Sequence, residues 1–399
     1  MDRYISEVLL RHYKSIGRCR VKLGSLSILV GPNGAGKSNF IDAIKFTSEA
    51  LSQGLDYAIR QRGGIDGVRR RSTGHPTHFG IRLNIRLSDK ASAYFAFEIG
   101  AQPNGAYVVQ REVASISSDG IEPAHYEIKR GETVKFSGSV QAFPKITSDR
   151  LMLVSLSGLE EFRDLYDFLT RMAFYNINPA DIRAPQPHEA GDILSHTGRN
   201  ISSVIRQMKE SAPQSVERVE AYLRSINPMI EGVDNRSFGP QETLEFRQKV
   251  QNSAHPWRFL AHSMSDGTLR SIGLLTALFQ NSRVYGPPSL VSIEEPEMTI
   301  HPGAAGIVMD ALFEASRSQQ VIATTHSPDL LDHENLKIDD VRVVRNIDGE
   351  TFVSNADKSS VDAIKQQLYT AGDLLRNRQL EPDLTNIKPI TQLELFAHS

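Results

Sequence analysis

Apolar and polar residues alternate with a period of two through residues 79–136, most plainly at 81–87 and 107–113. Turn-forming residues interrupt the alternation at 103–105 and 118–120. A period of two places successive side chains on opposite faces of a strand, and Gly, Asn and Asp favour the turns between strands. The pattern therefore predicts an antiparallel sheet over this stretch.

Beyond this stretch the apolar positions follow a helical spacing. The amphipathic segments that show it are 159–169, 201–210 and 216–226. Pro185 and Pro187 predict a loop among them. No heptad pattern is sustained over three or four repeats, so we do not expect a long coiled coil. We predict a helical insertion over residues 151–261.

Short apolar runs predict buried strands. They lie at residues 5–10, 26–30, 289–293 and 321–325. Residues 269–279 predict a helix, because their apolar positions share one face. Two further apolar segments around Asp348-Gly349 predict a hairpin.

The composition is that of a globular protein, since 40% of the 399 residues are hydrophobic. The net charge of −2 creates no whole-molecule field for nucleic acid, so such a contact requires a local basic patch. The N-terminal residues include charged side chains at the positions where a signal peptide has its apolar region. No apolar run approaches the roughly 18 residues of a membrane span. The single cysteine, Cys19, suits a reducing compartment. We expect a cytoplasmic protein without a membrane partner.

Residues 31–38 read GPNGAGKS and fit the phosphate-loop pattern G-x-x-x-x-G-K-[ST]. A predicted strand precedes the pattern and a helix-like segment follows it, as the mechanism requires. Glycines let the backbone approach a triphosphate, so that successive N–H groups point at phosphate oxygens. Lys37 is predicted to reach the β- and γ-phosphates, and Ser38 to bind Mg²⁺. The predicted ATP-binding residues here are Gly31, Pro32, Asn33, Gly34, Ala35, Gly36, Lys37, Ser38 and the following Asn39.

Two glutamates end the apolar strand at 289–293, and a histidine ends the one at 321–325. Downstream of a phosphate loop, adjacent carboxylates form the second half of a nucleotide-hydrolysis site. We predict that Glu294 holds the hydration shell of Mg²⁺ and that Glu295 orients and deprotonates the attacking water. His326 is predicted to hydrogen-bond the γ-phosphate or the water. A lone histidine at a strand end more often has a structural role, so this assignment depends on the neighbouring motifs.

Ser265 precedes the predicted helix at 269–279. Its hydroxyl, together with the backbone N–H groups and the positive end of the helix, forms an anion site. A simple helix cap explains the same residue equally well.

The stretch from residue 60 to residue 71 contains five arginines and one acidic residue, Asp66. Either the stretch is a solvated loop, or it contacts the phosphates of a nucleotide or nucleic acid. The arginines are Arg60, Arg62, Arg69, Arg70 and Arg71.

The order of these motifs resembles that of an ABC-type ATPase head. A phosphate loop is followed by a long insertion, a serine-glycine helix start, a strand with Glu-Glu and a strand with His. The resemblance is to the RecF, SMC and OLD-like branch, and within it to the compact prokaryotic AAA_21 and AAA_15 families. It covers roughly residues 1–51 and 262–331. It implies an α/β fold, with a mixed or parallel sheet and flanking helices, that carries an inserted β-sheet and helical region.

The resemblance implies roles for individual residues. Residues 264–268 would be the signature motif, with Ser265 and Gly267 at the nucleotide, and residues 297–302 would be the D-loop. Glu294 and Glu295 would be the Walker B acids, and His326 the switch histidine.

Two positions depart from the wider ABC pattern, which has Asp in place of Glu294 and Gly in place of Asp266. An acid beside a γ-phosphate would repel it unless Arg or Mg²⁺ compensates. The Q-loop glutamine has no clear position in the sequence.

The resemblance also implies a head-to-tail homodimer, in which each ATP lies between the phosphate loop of one copy and Ser265 of the other. The insertion replaces the coiled coil of SMC-type proteins. The predicted divisions are an ATPase head at 1–56 and 262–380, a basic loop and antiparallel insertion at 57–150, a helical insertion at 151–261 and a tail at 381–399.

Proteins of this organisation resemble ATPase subunits of bacterial antiphage defence systems, and we expect a separate nuclease as the effector. The competing hypothesis is a DNA-repair or chromosome-maintenance ATPase that clamps DNA with the five arginines. A third hypothesis, a scaffold that binds ATP with little turnover, conflicts with the presence of Lys37, Glu295 and His326.

Overall fold

The computed structural model describes residues 3–72, 76–119, 121–138, 147, 149–284, 286–385 and 391–397. The chain forms two compact units. The first comprises Met1–Met172, Lys337–Tyr369 and Asn377–Ser399, and the second comprises Ala173–Leu336 and Thr370–Arg376. Their boundaries do not coincide with the predicted division into head, insertions and tail, which stays a prediction.

The first unit holds ten strands and seven α-helices among its described residues. The strands are β1 (Tyr4–Tyr13), β2 (Ile16–Lys22), β3 (Leu26–Val30), β4 (His78–Arg86), β5 (Ala91–Ala101), β6 (Tyr107–Ser118), β7 (Ile121–Lys129), β8 (Glu132–Ser137), β16 (Val341–Ile347) and β17 (Glu350–Ser354). The helices are α1 (Lys37–Ser52), α2 (Leu55–Arg60), α3 (Ile65–Val68), α4 (Leu153–Leu156), α5 (Glu160–Thr170), α12 (Lys358–Lys365) and α14 (Gln392–Phe396).

The other elements, numbered in the same chain order, belong to the second unit. The strands are β9 (Met172–Tyr175), which begins at the last residue of the first unit, β10 (Gln186–Pro187), β11 (Ile230–Phe238), β12 (Gln241–Gln248), β13 (Trp257–Leu260), β14 (Leu290–Glu294) and β15 (Gln320–Thr325). The helices are α6 (Pro179–Arg183), α7 (Ile201–Ser211), α8 (Pro213–Ile226), α9 (Asp266–Phe279), α10 (Ala305–Ala315), α11 (Pro328–Leu331) and α13 (Ala371–Arg376).

A seven-stranded antiparallel sheet lies in the first unit, in the order β2-β1-β4-β5-β6-β7-β8. It confirms the antiparallel sheet predicted over residues 79–136. β2 is an addition to the predicted elements. Between Arg18 and Lys22 only Cys19 and Val21 are apolar. This alternation is too short to indicate a strand in the sequence, and the strand becomes evident from its pairing with β1.

The strand before the phosphate loop also lies in the first unit. All five residues of β3 are buried, and β3 pairs in parallel with β16. β16 pairs antiparallel with β17 and forms the hairpin predicted around Asp348-Gly349. The C-terminal side of the β3–β16 pair is where the loop at residues 31–36 begins.

A parallel strand pair, β14 and β15, positions the predicted carboxylates in the second unit. Leu290 lies opposite Gln320, and Glu294 lies opposite Thr324. β15 and the first four residues of β14 are buried, which confirms both predicted strands. The predicted helix at 269–279 is α9, which begins three residues earlier, at Asp266.

The helical insertion predicted over residues 151–261 is wrong for its last third, because the helices end at Ile226 and β11–β13 follow. These strands pair antiparallel with one another. The local reason is the alternation of buried Leu244 and Phe246 around a glutamate, after a Gly-Pro turn. β10 likewise pairs with β12 where a loop was predicted.

The C-terminal tail contains α14, for which the sequence offered no packing signal. Leu395 and Phe396 lie against Leu9, Tyr94 and Val113 in a buried cluster. Among the residues that the structure describes, no helix combines the length and apolar character needed to span a bilayer.

Candidate functional site

The phosphate loop at residues 31–38 lies between β3 and α1, as the sequence predicts. Gly34 and Gly36 adopt φ values of +77° and +103°, which side chains with a Cβ rarely tolerate. A Cβ at Gly36 would also lie 2.1 Å from Oγ1 of Thr351. The third glycine, Gly31, approaches the backbone of Val344 so closely that a Cβ would be 2.2 Å from its carbonyl oxygen. These glycines therefore set the shape of the loop.

Lys37 is buried at the first turn of α1. Its Nζ donates to the carbonyl oxygens of Gly31, at 2.7 Å, and Pro32, at 3.2 Å. The ammonium group is thus held against the first two residues of the loop. Ser38 is exposed beside it, as are Pro32, Asn33 and Gly34.

Two hydroxyl groups, one from the turn between β1 and β2 and one from β17, support the loop. Thr351 Oγ1 donates to the carbonyl of Ala35 at 2.9 Å and lies 2.7 Å from Ser15 Oγ. Asn39 donates from its side-chain amide to Ser15 Oγ at 2.6 Å. The structure thus places Asn39, a predicted nucleotide-binding residue, in this supporting network. Neither Thr351 nor Ser15 was predicted, since each is far from the loop in sequence.

The loop fits a triphosphate and Mg²⁺ by its donor set. Asn33 and Gly34 are exposed, and Gly34 has a φ of +77° with no atom within 4 Å of a Cβ placed there. The hydroxyl of the exposed Ser38 is an oxygen ligand. Lys37 supplies the cation that this loop pattern uses to pair with phosphate oxygens.

In the second unit, the ends of β14 and β15 bring together two predicted residues. Glu295 Oε1 lies 3.3 Å from His326 Nδ1, and both side chains are partly exposed. The backbone N–H of Glu295 donates to the carbonyl of Thr324 at 2.9 Å. Glu295 has a φ of +46°, a left-handed conformation that is uncommon outside glycine. The tertiary hydrogen bonds hold this conformation in place.

Arg270 fixes the backbone of the glutamate pair, although the sequence did not identify it. Its guanidinium donates to the carbonyls of Glu294 at 3.2 Å, Glu295 at 3.1 Å and Ile177 at 2.6 Å. Burial lowers the pKa of Arg270, and the nearby carboxylates of Glu295 and Glu297 oppose that shift. The signal available in the sequence was an arginine on the apolar helix α9, where a buried cation requires several partners.

The predicted signature motif forms the start of α9, where Ser265 and Asp266 are exposed. Ser265 is the N-cap, and its hydroxyl accepts from the backbone N–H of Thr268 at 3.3 Å. The Asp266 carboxylate pairs with Arg183. A Cβ at Gly267 would lie 2.7 Å from the carbonyl oxygen of Thr299, so glycine is needed where the predicted D-loop crosses the helix start.

Two of the five arginines in the basic stretch are structural. The Arg62 side chain is 6% exposed and pairs with Asp42 and Glu49 on α1, each at 2.7 Å. Arg70 is 13% exposed and bonds to Glu350 and the Ser15 carbonyl. The predicted phosphate contact is therefore wrong for these two residues, because their acidic partners lie outside the stretch.

The other three arginines are more accessible. Arg60 pairs with Asp56 across one turn of α2 and is 77% exposed. Arg69 pairs with Asp66, and Arg71 donates to the Asp66 carbonyl. A phosphate contact for these three stays a prediction.

Comparison with protein families gives one match over most of the chain. Residues 26–332 match the AAA_21 family, described as "AAA domain, putative AbiEii toxin, Type IV TA system". The protein called Old nuclease of Escherichia phage P2 is 23% identical over 352 residues, which cover 82% of this chain and 57% of the phage protein. The chain therefore spans little more than half the length of this curated relative.

Solved structures of SMC heads share the fold. The Smc head domain with an extended coiled coil bound to the C-terminal domain of ScpA, from Pyrococcus furiosus, aligns with a TM-score of 0.55 and 12% identity, covering 92% of this chain and 99% of that one. An SmcHead bound to the C-winged helix domain of ScpA aligns with a TM-score of 0.50 and 14% identity, covering 88% and 97%. These alignments confirm the predicted mixed α/β P-loop fold, here with additional antiparallel sheets.

Proposed function

The chain belongs to the AAA_21 family of ABC-type P-loop ATPases, and from this premise we propose that it binds and hydrolyses ATP in a head-to-tail dimer. The observation that carries the proposal is the contact between Glu295 and His326 at the ends of two parallel strands. A carboxylate held in this way by an imidazole is suited to act as a general base toward water. The phosphate loop supplies the cationic and backbone groups that bind the other reactant.

The phosphate loop and the glutamate pair have separate roles in this proposal. Backbone N–H groups of residues 33–38 and the ammonium group of Lys37 would hold the β- and γ-phosphates. Ser38 would provide an oxygen ligand for Mg²⁺, and Glu294 would hold its hydration shell. When bound, Mg²⁺ would neutralise charge on the triphosphate.

Glu295 is the proposed general base, which orients the attacking water and accepts its proton. In the tautomer that carries a proton on Nδ1, His326 donates to the Glu295 carboxylate and so limits the orientation of that carboxylate. Arg270 holds the Glu295 backbone in its left-handed conformation. The base is thereby positioned before ATP binds, which reduces the cost of reaching the transition state.

Ser265 acts on the nucleotide of the second copy in this proposal. It is exposed at the start of a 14-residue helix whose N-terminus favours an anion. ATP bound between the two copies would then stabilise the dimer, and hydrolysis would release it.

Glu295→Gln tests both parts of the proposal. The amide cannot accept the proton, so ATP turnover should fall by about 100-fold or more. ATP should then accumulate in a stable dimer, visible by size-exclusion chromatography. Lys37→Ala is the matched control, which should neither bind ATP tightly nor dimerise. An unchanged elution volume of the Glu295→Gln variant in ATP and Mg²⁺ would refute the sandwich dimer.

We further propose that the chain is the ATPase sensor of a bacterial antiphage defence system, with a separate nuclease as effector. The family description and the phage nuclease relative support this role. The purified chain should leave plasmid DNA intact in ATP and Mg²⁺, while Lys37→Ala should abolish protection in a phage plaque assay. DNA cleavage by the chain alone would contradict the separate effector. Salt-dependent DNA binding that strengthens with ATP would instead favour the DNA clamp.

A further inference from the structure

One arginine contacts the residues on both sides of Ser265. Arg183, the last residue of α6, donates from Nη2 to the carbonyl of Met264 at 3.2 Å and pairs with the carboxylate of Asp266. The Arg183 side chain is 34% exposed and that of Asp266 is 60% exposed. The guanidinium thus lies at the surface, beside the hydroxyl proposed to meet a phosphate.

Asp266 opposes the role assigned to this surface. The positive end of α9 and the Ser265 hydroxyl favour an anion, but a carboxylate in the first turn repels one. Arg183 is the cation that pairs with Asp266 among the described residues. Without Arg183, a phosphate would meet an uncompensated negative charge at this helix start.

Arg183 is held in place by a second contact between the same two helices. Arg270, one turn into α9, donates to the carbonyl of Ile177 just before α6. A Cβ at Gly273 of α9 would lie 2.6 Å from the Ile177 side chain, so the segments pack closely. Asn178 caps α6 by accepting from the N–H of Ala180 at 3.0 Å. Packing against α9 therefore fixes the backbone that carries Arg183, and the contacts with Met264 and Asp266 orient its guanidinium.

We propose that Arg183 is a positioning residue for the nucleotide of the second copy. It neutralises Asp266 and holds the backbone around Ser265, so that this surface can accept the γ-phosphate presented by the partner's phosphate loop. The inference rests on the proposed head-to-tail dimer and assigns the charge compensation that the dimer requires.

Dimer affinity in the Glu295→Gln background measures this role without turnover. Analytical ultracentrifugation in ATP and Mg²⁺ should show that Arg183→Gln weakens the dimer by about tenfold or more, while Arg183→Lys weakens it less. Binding of ATP to the monomer should stay within about twofold, because the phosphate loop is unchanged. Arg247→Gln is the matched control, since Arg247 is 35% exposed and also pairs with two residues, Glu220 and Asp234, but lies on β12.

A second substitution separates charge compensation from a structural effect. Adding Asp266→Asn to Arg183→Gln removes the uncompensated charge, so the double variant should recover most of the dimer affinity. A merely structural loss at Arg183 would not be rescued in this way. The inference is overturned if Arg183→Gln dimerises like its parent, or if Asp266→Asn fails to restore it. If the parent itself stays monomeric in ATP, the proposed dimer fails and the inference fails with it.

Discussion

Thr351 Oγ1 donates a 2.9 Å hydrogen bond to the carbonyl of Ala35 in the phosphate loop, across 316 residues of sequence. The same hydroxyl lies 2.7 Å from Ser15 Oγ and directly behind Gly36. A strand near the C-terminus thus supports the loop that opens the proposed ATP site. Since Thr351 is fully buried, no water can replace it in these contacts.

Thr351→Val should weaken ATP binding by changing the support of the loop. Valine keeps the shape of threonine but leaves the Ala35 carbonyl unpaired, at a cost of about 1–3 kcal/mol in unfolding free energy. Part of that cost should appear as an ATP affinity about tenfold weaker, measured by calorimetric titration. Thr351→Ser keeps the hydroxyl and is the matched control. Equal ATP affinity in the valine variant and the wild type would show that the loop keeps its shape without this bond.

Arg270→Lys should slow hydrolysis more than it weakens ATP binding. Lysine keeps the positive charge but cannot reach three carbonyls with the planar fork of arginine. The Glu295 backbone should then leave its left-handed conformation, and kcat should fall by about tenfold or more. Steady-state kinetics should show this loss in kcat with little change in KM.

The same substitution at another arginine of the second unit serves as the control for a general effect of replacing arginine by lysine. Arg218 is 61% exposed on α8 and pairs with Glu314, so Arg218→Lys should leave kcat unchanged. If Arg270→Lys also had normal kcat, Arg270 would have no part in positioning Glu295.

The sequence was informative where the signal is local. A phosphate loop, a Glu-Glu strand end and a cap before an apolar helix each lie within about a dozen residues, and spacing alone predicts them. Contacts between distant segments leave no such signal in a single sequence. The sequence alone therefore could not predict the contacts of Thr351 and Arg183. It also could not show that acidic residues outside the basic stretch pair with Arg62 and Arg70. β11–β13 were missed for a different reason, since the preceding helical pattern was extended past the point where alternation begins.

Arg62→Gln should destabilise the fold and leave any DNA affinity unchanged. Its guanidinium pairs with Asp42 and Glu49 and lies 5.1 Å from the ring centroid of Phe46, all on α1. Removing it takes one of two cations from each carboxylate, since Asp42 keeps Lys14 at 2.6 Å and Glu49 keeps Lys45 at 3.9 Å, so the unfolding free energy should fall by about 2 kcal/mol. Arg60→Gln, at an exposed position, should change stability by less than about 0.5 kcal/mol. Urea unfolding measures both. If Arg62→Gln were as stable as the wild type, the two ion pairs of Arg62 would not stabilise the fold, and Arg62 would again be a candidate for phosphate contact.

Glu112 should make the stability of the first unit depend on pH. Burial raises its pKa from 4.5 to about 7, although Tyr126 and the backbone N–H groups of Met152 and Leu153 donate to its carboxylate and oppose the shift. Because the folded state holds this proton more tightly than the unfolded state, its stabilising effect is complete below about pH 4.5 and is lost as pH rises through 7, by up to about 3 kcal/mol. Glu112→Gln cannot titrate, so its urea midpoint should fall less than that of the wild type between about pH 5 and 8.

Glu132→Gln is the control, since residue 132 is exposed on β8 and this variant should show the same change of urea midpoint with pH as the wild type. Parallel pH profiles for wild type and Glu112→Gln would show that Glu112 is ionised in the folded protein throughout this range.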